Sequence, residues 1–358
     1  MLEDSMVTIG VDTHKRLIVA VALDAAGQVI GDWSGDNTPD GSRHLQIWAV
    51  ELGPDRVWGI EGSGQYGRGL AQQVVASGAT VYEVNPRWTA AARQRARQPG
   101  KSDRRDALAI AQVVRQEGAH LPQLQPEDAT SVVALLTSER TDAVGMATQV
   151  RNQLHQYLHQ LDPTDRTVES HLTHPRTVAT LVTYTVAADA PALTQTRAAA
   201  VRRLATHLRL LQTQIDDLTA EIEAQARQHW HALTDLPGVG DLTAGMLAGY
   251  LGPGNRFATD AQLASYAGVA PLETGSAGTV RHRLNRQGQR QLNAVIHRIA
   301  LTQARCCRAA RDYLDRRRGE GKTWREALRA LKRFIVRAIW RQWQRCLAAQ
   351  NGAVTPTS

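Results

Sequence analysis

Cysteine is almost missing from this chain: Cys306, Cys307 and Cys346 are its three among 358 residues, and no two form a CxxC pair. That excludes a disulfide framework and a cysteine-built zinc site, and fits reduced thiols in a cytoplasmic protein. Long apolar runs are missing too. None reaches the roughly 20 residues that cross a bilayer, and Glu3 and Asp4 stand where a secretory signal would be basic, so no membrane or export role is expected. Lysine is scarce, with only Lys15, Lys101, Lys322 and Lys332 among 42 basic residues, an arginine bias that partly follows genomic base composition. What is present is ordinary globular material, 42% hydrophobic and 21% charged, which excludes general disorder. Its charge is unevenly placed. Residues 279–348 hold 19 Arg or Lys against 4 acids, +15, so the remainder of a +8 chain carries −7. An acidic front and a basic back suit a protein that holds a polyanion.

The length suggests two or three domains. In the first third, residues 7–12, 17–23 and 29–33 read as three antiparallel strands, with a turn signal at residues 24–28. A helix at 44–52, a strand at 57–61, a helix at 69–76 and a strand at 80–84 follow, then a helix from a Ser102 cap to about residue 117. Three strands followed by alternating helices and strands is the order of an RNase H-like α/β layer. The middle is helical. Val201, Leu204, Leu208, Leu211, Ile215, Leu218 and Ile222 form a heptad seam, and Val150, Leu154, Tyr157 and Leu161 line one face of an earlier helix. The two could pair as an antiparallel hairpin within one chain, or the second could zip to another protomer. The last third opens on LPGVGDLTAG, continues through the small-residue stretch YAGVAPLETGSAG, and closes with a basic helical region over 286–349 that breaks near residues 319–321. The tail, 350–358, has no pattern.

Four carboxylates stand out. Asp12 ends the first strand in GVDTHK and Glu61 ends a later strand in GIEGSG, while Asp103 and Asp106 in KSDRRDALAIA share one helical face. Acids gathered at strand ends beside one helical turn repel one another unless divalent cations neutralise them, and oxygen-only donors favour Mg²⁺ or Mn²⁺. Taken singly, each is an ordinary cap or solvated charge. The turn PGVG, with Gly238 and Gly240, reads as a helix-joining hairpin whose backbone N–H groups can face a phosphate. Arg281, Arg283, Arg286 and Arg290, and the run Arg316, Arg317, Arg318, are candidate phosphate contacts, with a solvated face as the plainer reading.

GVDTHK, EGSGQYGRGLA, KSDRRDALAIA, LPGVGDLTAG, YAGVAP and the Ser–Gly stretch before NRQGQRQL occur together and in order. In this the chain resembles the IS110 family of insertion-sequence transposases, the DEDD transposases, whose relatives include the pilin-gene inverting recombinases. The resemblance runs from Thr8 to about Arg305. It implies a RuvC-like N-terminal domain (residues 1–125) whose metal site is Asp12, Glu61, Asp103 and Asp106, a helical coiled-coil region (126–232), and an all-α C-terminal transposase domain (233–349) with a helix-hairpin-helix-like motif. It also implies a catalytic serine, here Ser276 five residues after Pro271, and in many members a bridge RNA that pairs with donor and target DNA. The family pattern is departed from at TGSAGT, where glycine more often follows the serine directly, and at Gln289 and Asn293, where asparagine and arginine are common. The function expected is DNA strand cutting and rejoining by a dimer or tetramer working at the bacterial nucleoid. Three other readings compete: a two-metal junction-resolving endonuclease with water as nucleophile, an actin-like or sugar-kinase ATPase, and a non-catalytic binding module. The ATPase needs a second glycine-rich phosphate loop that the later half does not contain.

Overall fold

A central sheet in which nearly every side chain of two strands is buried organises the first third of the chain. In the computed structural model, which describes residues 6–86, 88–89, 102–164, 171–270, 272–274, 281–283 and 288–352, β1 (Val7–Thr13) and β2 (Leu17–Leu23) are buried almost throughout. β3 (Val29–Asp36) alternates and forms an edge. With β4 (Arg56–Glu61) and β5 (Thr80–Val84) the sheet order is β3-β2-β1-β4-β5. The first three strands are antiparallel; β1–β4 and β4–β5 are parallel. That order and mixture is the RNase H-like sheet that the strand pattern predicts.

Helix α1 (Pro39–Glu51) begins five residues earlier than the apolar pattern suggests. The Thr38 side chain accepts from the N–H of Gly41, and Pro39 sits in the first turn, where its missing N–H costs nothing. Helix α2 (Arg68–Ala76) precedes β5, and α3 (Asp103–Glu117) is capped by Ser102 as its sequence indicates. Leu45, Ala49, Leu70 and Val74 from α1 and α2 cover one side of the sheet. Ala107, Ile110, Ala111 and Val114 from α3 meet its other side.

The chain divides into two compact units: Met1–Thr130 with Asp235–Gly238 and Leu251–Ser358, and Ser131–Thr234 with Val239–Tyr250. In the second, α4 (Ala129–Leu161), α5 (Pro175–Val182) and α6 (Ala192–His229) share a core. Val201, Leu208 and Leu211 pack there with Val150, Leu154 and Leu158. Arg140 donates to the Thr219 hydroxyl at 2.7 Å, so the start of α4 lies beside the end of α6. The heptad seam is thus the inside of an antiparallel hairpin within one chain. Helix α7 (Asp241–Leu251) lies on both helices through glycine: a Cβ on Gly245 would fall 2.5 Å from Ile222, and one on Gly249 2.9 Å from Ala134.

The C-terminal part of the first unit contains α8 (Asp260–Tyr266), a short hairpin of β6 (Leu272–Thr274) and β7 (Arg281–Arg283), then α9 (Arg290–Cys306), α10 (Arg308–Gly319) and α11 (Trp324–Gly352). The basic helical region is broken twice. Gly321 at φ +83° makes the break that the glycines mark. The other falls at Cys307, in extended conformation, where no Gly or Pro announces it. Within this unit Arg256 lies over the rings of Phe257 and Tyr266, 5.2 and 4.8 Å from their centroids, and pairs with Glu83 of β5. Among the described residues no helix is long and apolar enough to cross a membrane.

Candidate metal and strand-cleavage site

Two glycines place the acids. A Cβ on Gly10 would lie 2.2 Å from the Ala111 nitrogen and 2.3 Å from the Ala107 oxygen; one on Gly59 would lie 2.3 Å from Val114. Helix α3 therefore rests directly on the backbones of β1 and β4, at positions that tolerate no side chain. Side chains two residues apart on a strand share a face. Asp12 follows Gly10 by two, and Glu61 follows Gly59 by two, so both acids project on the α3 side. They are also neighbours: Val11 pairs with Ile60 in parallel register, and Asp12 and Glu61 are the next residues on strands about 4.8 Å apart. Along α3, Asp103 precedes Ala107 by four residues, about 6 Å of helix, while Asp12 lies about 6.6 Å of strand beyond Gly10. The two distances match, which sets the helix N-terminus over the strand end.

Asp12 and Asp106 are buried, at 6% and 3% exposure, while Asp103 and Glu61 are half-buried. His14, which the acid pattern did not single out, joins two of these acids, Asp12 and Asp103. His14 Nε2 lies 3.2 Å from an Asp12 oxygen and 3.4 Å from an Asp103 oxygen, and ligand atoms of Asp12, His14 and Asp103 all fall within 4.8 Å of one another. His14 follows Asp12 by two, the same-face spacing again, and that was its signal in GVDTHK. Glu61 accepts from the Thr89 hydroxyl at 3.3 Å, and its backbone carbonyl accepts from Thr13 at 2.8 Å. A set of carboxylate oxygens with one imidazole, in a partly buried notch, suits a divalent cation.

The other candidate residues are placed as follows. Ser276 and Arg286 lie outside the described residues, and for Arg281 and Arg283 the backbone alone is described, in β7. Gly238 has φ +80°, and a Cβ there would meet Thr302 and the Ile299 carbonyl at 3.2 and 3.3 Å, so it serves close packing on α9. Gly240 is exposed and its carbonyl accepts the Ala244 N–H, opening α7. The arm before the PGVG turn is a 3-10 turn, His231–Asp235. Arg290 is exposed. Arg316 stacks on Tyr313, while Arg317 and Arg318 pair with Glu320 and Asp315 of the same segment. Of the departures from the family pattern, residues 275–279 of TGSAGT lie outside the described residues, while Gln289 and Asn293 have structural work. The Gln289 side chain accepts from the N–H of Gln291 and Leu292 to cap α9. Asn293 donates to the carbonyls of Ala267 and Gly268 at 2.7 and 3.3 Å and accepts from buried Lys332. Burial lowers the Lys332 amine to about 8.

An RNase H-like sheet with carboxylates at the ends of adjacent strands, faced by acids on a helix, defines the architectural class of this domain. Comparison with known proteins is more specific. The family of DEDD transposases named for IS110 matches residues 9–163, and the family described as "Transposase IS116/IS110/IS902 family" matches residues 230–315. The insertion element IS110 43.6 kDa protein of Streptomyces coelicolor is 30% identical over 283 residues, 67% of this chain and 70% of the relative. The IS116 44.8 kDa protein of Streptomyces clavuligerus is 25% identical over 93% of both chains. The IS900 42 kDa protein of Mycobacterium paratuberculosis is 36% identical over 151 residues, 41% of this chain and 38% of the relative. The chain belongs to the IS110 family of transposases, a family of DNA-cleaving enzymes. Among solved structures, RuvC of T. thermophilus in complex with a Holliday junction substrate aligns with 33% of this chain and 99% of its own, at 14% identity and a TM-score of 0.27.

Proposed function

We propose that this transposase cuts and rejoins DNA strands to move an insertion element, with Asp12, Glu61, Asp103 and Asp106 holding Mg²⁺ or Mn²⁺ and Ser276 as nucleophile. The observation that carries the reading is the meeting of the Asp12 strand end with the Asp103 helix start, joined by His14 at 3.2 and 3.4 Å. Divalent ions in such a site supply Lewis-acid polarisation of the phosphate and stabilise charge on the attacking and leaving oxygens. The chain's own residues do the rest. The serine oxygen forms a bond to phosphorus as one phosphorus–deoxyribose oxygen bond breaks, and the released hydroxyl takes up a proton in place of the one the serine loses. One ester is exchanged for another, so rejoining needs no ATP. A hydroxyl attacks slowly unless it is activated and closely placed. Ser276 lies between 170 and 264 residues beyond the four acids in sequence, so the reading requires their assembly around DNA, in one protomer or between two. The family resemblance supports an element-encoded bridge RNA as the source of sequence specificity, with donor and target DNA as partners and a homo-oligomer, dimer or tetramer, at the synapse. The arginines of residues 281–290 and 316–318, and the backbone at Gly238 and Gly240, then contribute phosphate contacts that position rather than read sequence.

The test uses the full chain with element-end DNA and RNA transcribed from the element's flanking non-coding region. Ser276→Ala is expected to bind both nucleic acids and yield no protein–DNA adduct on denaturing gels; Asp12→Ala is expected to bind and not recombine. An adduct from the serine variant moves the nucleophile to Thr274 or Thr279. Recombination by the Asp12 variant at the wild-type rate refutes the acid site.

A further inference from the structure

We propose that Lys15 and Arg16, at the tip of the β1–β2 hairpin, grip a phosphodiester of the DNA strand lying at the acid site. The proposal rests on the reading of Asp12 and Asp103 as the place of strand cleavage. A DNA strand reaching that place must bring its own negative charges against several carboxylates, and repulsion opposes the approach unless fixed cations stand beside it. Lys15 and Arg16 are such cations. With His14, Leu17 and Asp103 they line an open depression of about 380 Å³, beside the carboxylates that His14 bridges.

Two features distinguish this tip from an ordinary solvated turn. First, its backbone is held. The His14 N–H donates to the Leu17 carbonyl at 2.8 Å, and the Asn37 N–H to the Arg16 carbonyl at 3.0 Å. The Asn37 side-chain amide donates to the carbonyls of His14 and Tyr66 at 2.8 and 3.0 Å. Two exposed side chains thus leave a fixed platform, which lowers the ordering cost of gripping a ligand. Second, neither cation has an acidic partner among the described residues. Elsewhere on the same domain Arg43 pairs with Asp40, Arg68 with Glu127 and Arg104 with Asp32. At the tip the nearby carboxylates of Asp12 and Asp103 are met by His14 instead, leaving two exposed positive charges beside the depression. The ligand that fits is a flexible anion with repeating single charges, a nucleic-acid backbone.

The scarcity of lysine makes the test direct. Limited acylation of the full chain, read by mass spectrometry, reports on exposed Lys15, with the same protein free of DNA as the reference. On adding a short DNA duplex of arbitrary sequence with a chelator present, Lys15 is expected to lose at least about three-quarters of the reactivity it has in the DNA-free protein. In salt titrations of the same duplex, the Lys15→Ala/Arg16→Ala double variant should bind about tenfold more weakly. Its slope of log K against log salt should be shallower by roughly 1 to 2, about 0.9 for each phosphate no longer neutralised. Lys15→Arg/Arg16→Lys should restore both. Undiminished Lys15 labelling with DNA bound, or an unchanged slope in the double variant, overturns the proposal. The Asp12→Ala protein separates it from the cleavage reading: recombination there with Lys15 still protected refutes the acid site and leaves the grip standing.

Discussion

Replacing Gly10 by alanine tests the geometry that brings the acids together. The new Cβ would stand 2.2 Å from the Ala111 nitrogen and 2.3 Å from the Ala107 oxygen, where ordinary contact begins near 3.4 Å. The shortfall, 3.4 − 2.2, is about 1.2 Å. Both opposing atoms are main chain inside a helix, so no rotamer change can relieve it, and α3 and β1 must part by about 1 Å. Overpacking of this kind costs about 1–3 kcal/mol, toward the upper end where backbone has to move. Ala107, Ile110 and Ala111, each fully buried against the sheet, would give up part of their packing as well. We expect about 3 kcal/mol. In urea, with a slope of about 2 kcal/mol per molar, the midpoint of the transition should fall by about 1.5 M. The control is Gly69→Ala, in the exposed first turn of α2 with nothing within 4 Å of the added carbon, expected to be neutral or stabilising by about 0.5 kcal/mol. Activity adds a second measurement. Misplacing Asp103 by about 1 Å relative to Asp12 should lower the cleavage rate about 100-fold in protein that remains folded. A Gly10→Ala transition within 0.5 kcal/mol of wild type, or one no lower than the Gly69 control, would refute the close approach of α3 and the placement of the acids built on it.

Lys332 predicts a pH dependence. Its folded value of about 8 lies below the unfolded 10.5, so between them the unfolded chain binds more protons, and stability should rise as pH increases from 8 to 10.5. The 2.5-unit difference corresponds to about 3 kcal/mol, reduced to roughly 2 by the solvent that still screens the amine; Lys332→Met, compared with wild type across that range by urea denaturation, should remove the rise, and an identical profile would contradict it. Leu208 lies inside the α4–α6 hairpin and Leu210 outside it, at 0% and 62% exposure. Leu208→Asp should therefore destabilise the helical unit by about 4 kcal/mol or unfold it, and Leu210→Asp should change it by less than about 0.5. Thermal unfolding followed by helical circular dichroism distinguishes the two, and equal effects would contradict the intrachain seam.

The elements of the sheet were legible because local signals agreed with tertiary demand: buried runs for β1 and β2, alternation for the edge strand β3, a Ser102 cap before α3. Where local signals were weaker than the fold, the reading fell short. The helix break at Cys307 has no breaking residue and follows from the packing of α9, α10 and α11. The start of α1 is written in Thr38–Pro39, but the apolar pattern begins only at Leu45 and puts the boundary at His44. The seam of α6 advertised a partner without naming it, since heptad spacing is the same for an internal and an external mate; the long return through α5 decided it. At the site, each acid could be marked from its place in the strand order. Their convergence depended on Gly10 and Gly59, and a glycine in a strand carries several meanings until the helix that needs it is seen. The step available in retrospect is arithmetic: glycine and acid at a spacing of two on β1 with histidine two further, just past its end, glycine and acid at the same spacing on β4, and acids one turn ahead of the alanines on α3. Those intervals put Asp12, His14, Glu61 and Asp103 on one side of the sheet with no knowledge of family. The tip residues Lys15 and Arg16 escape such counting. Their significance comes from lacking ion-pair partners, among the described residues, beside a group of acids, a property of the folded surface that no spacing expresses.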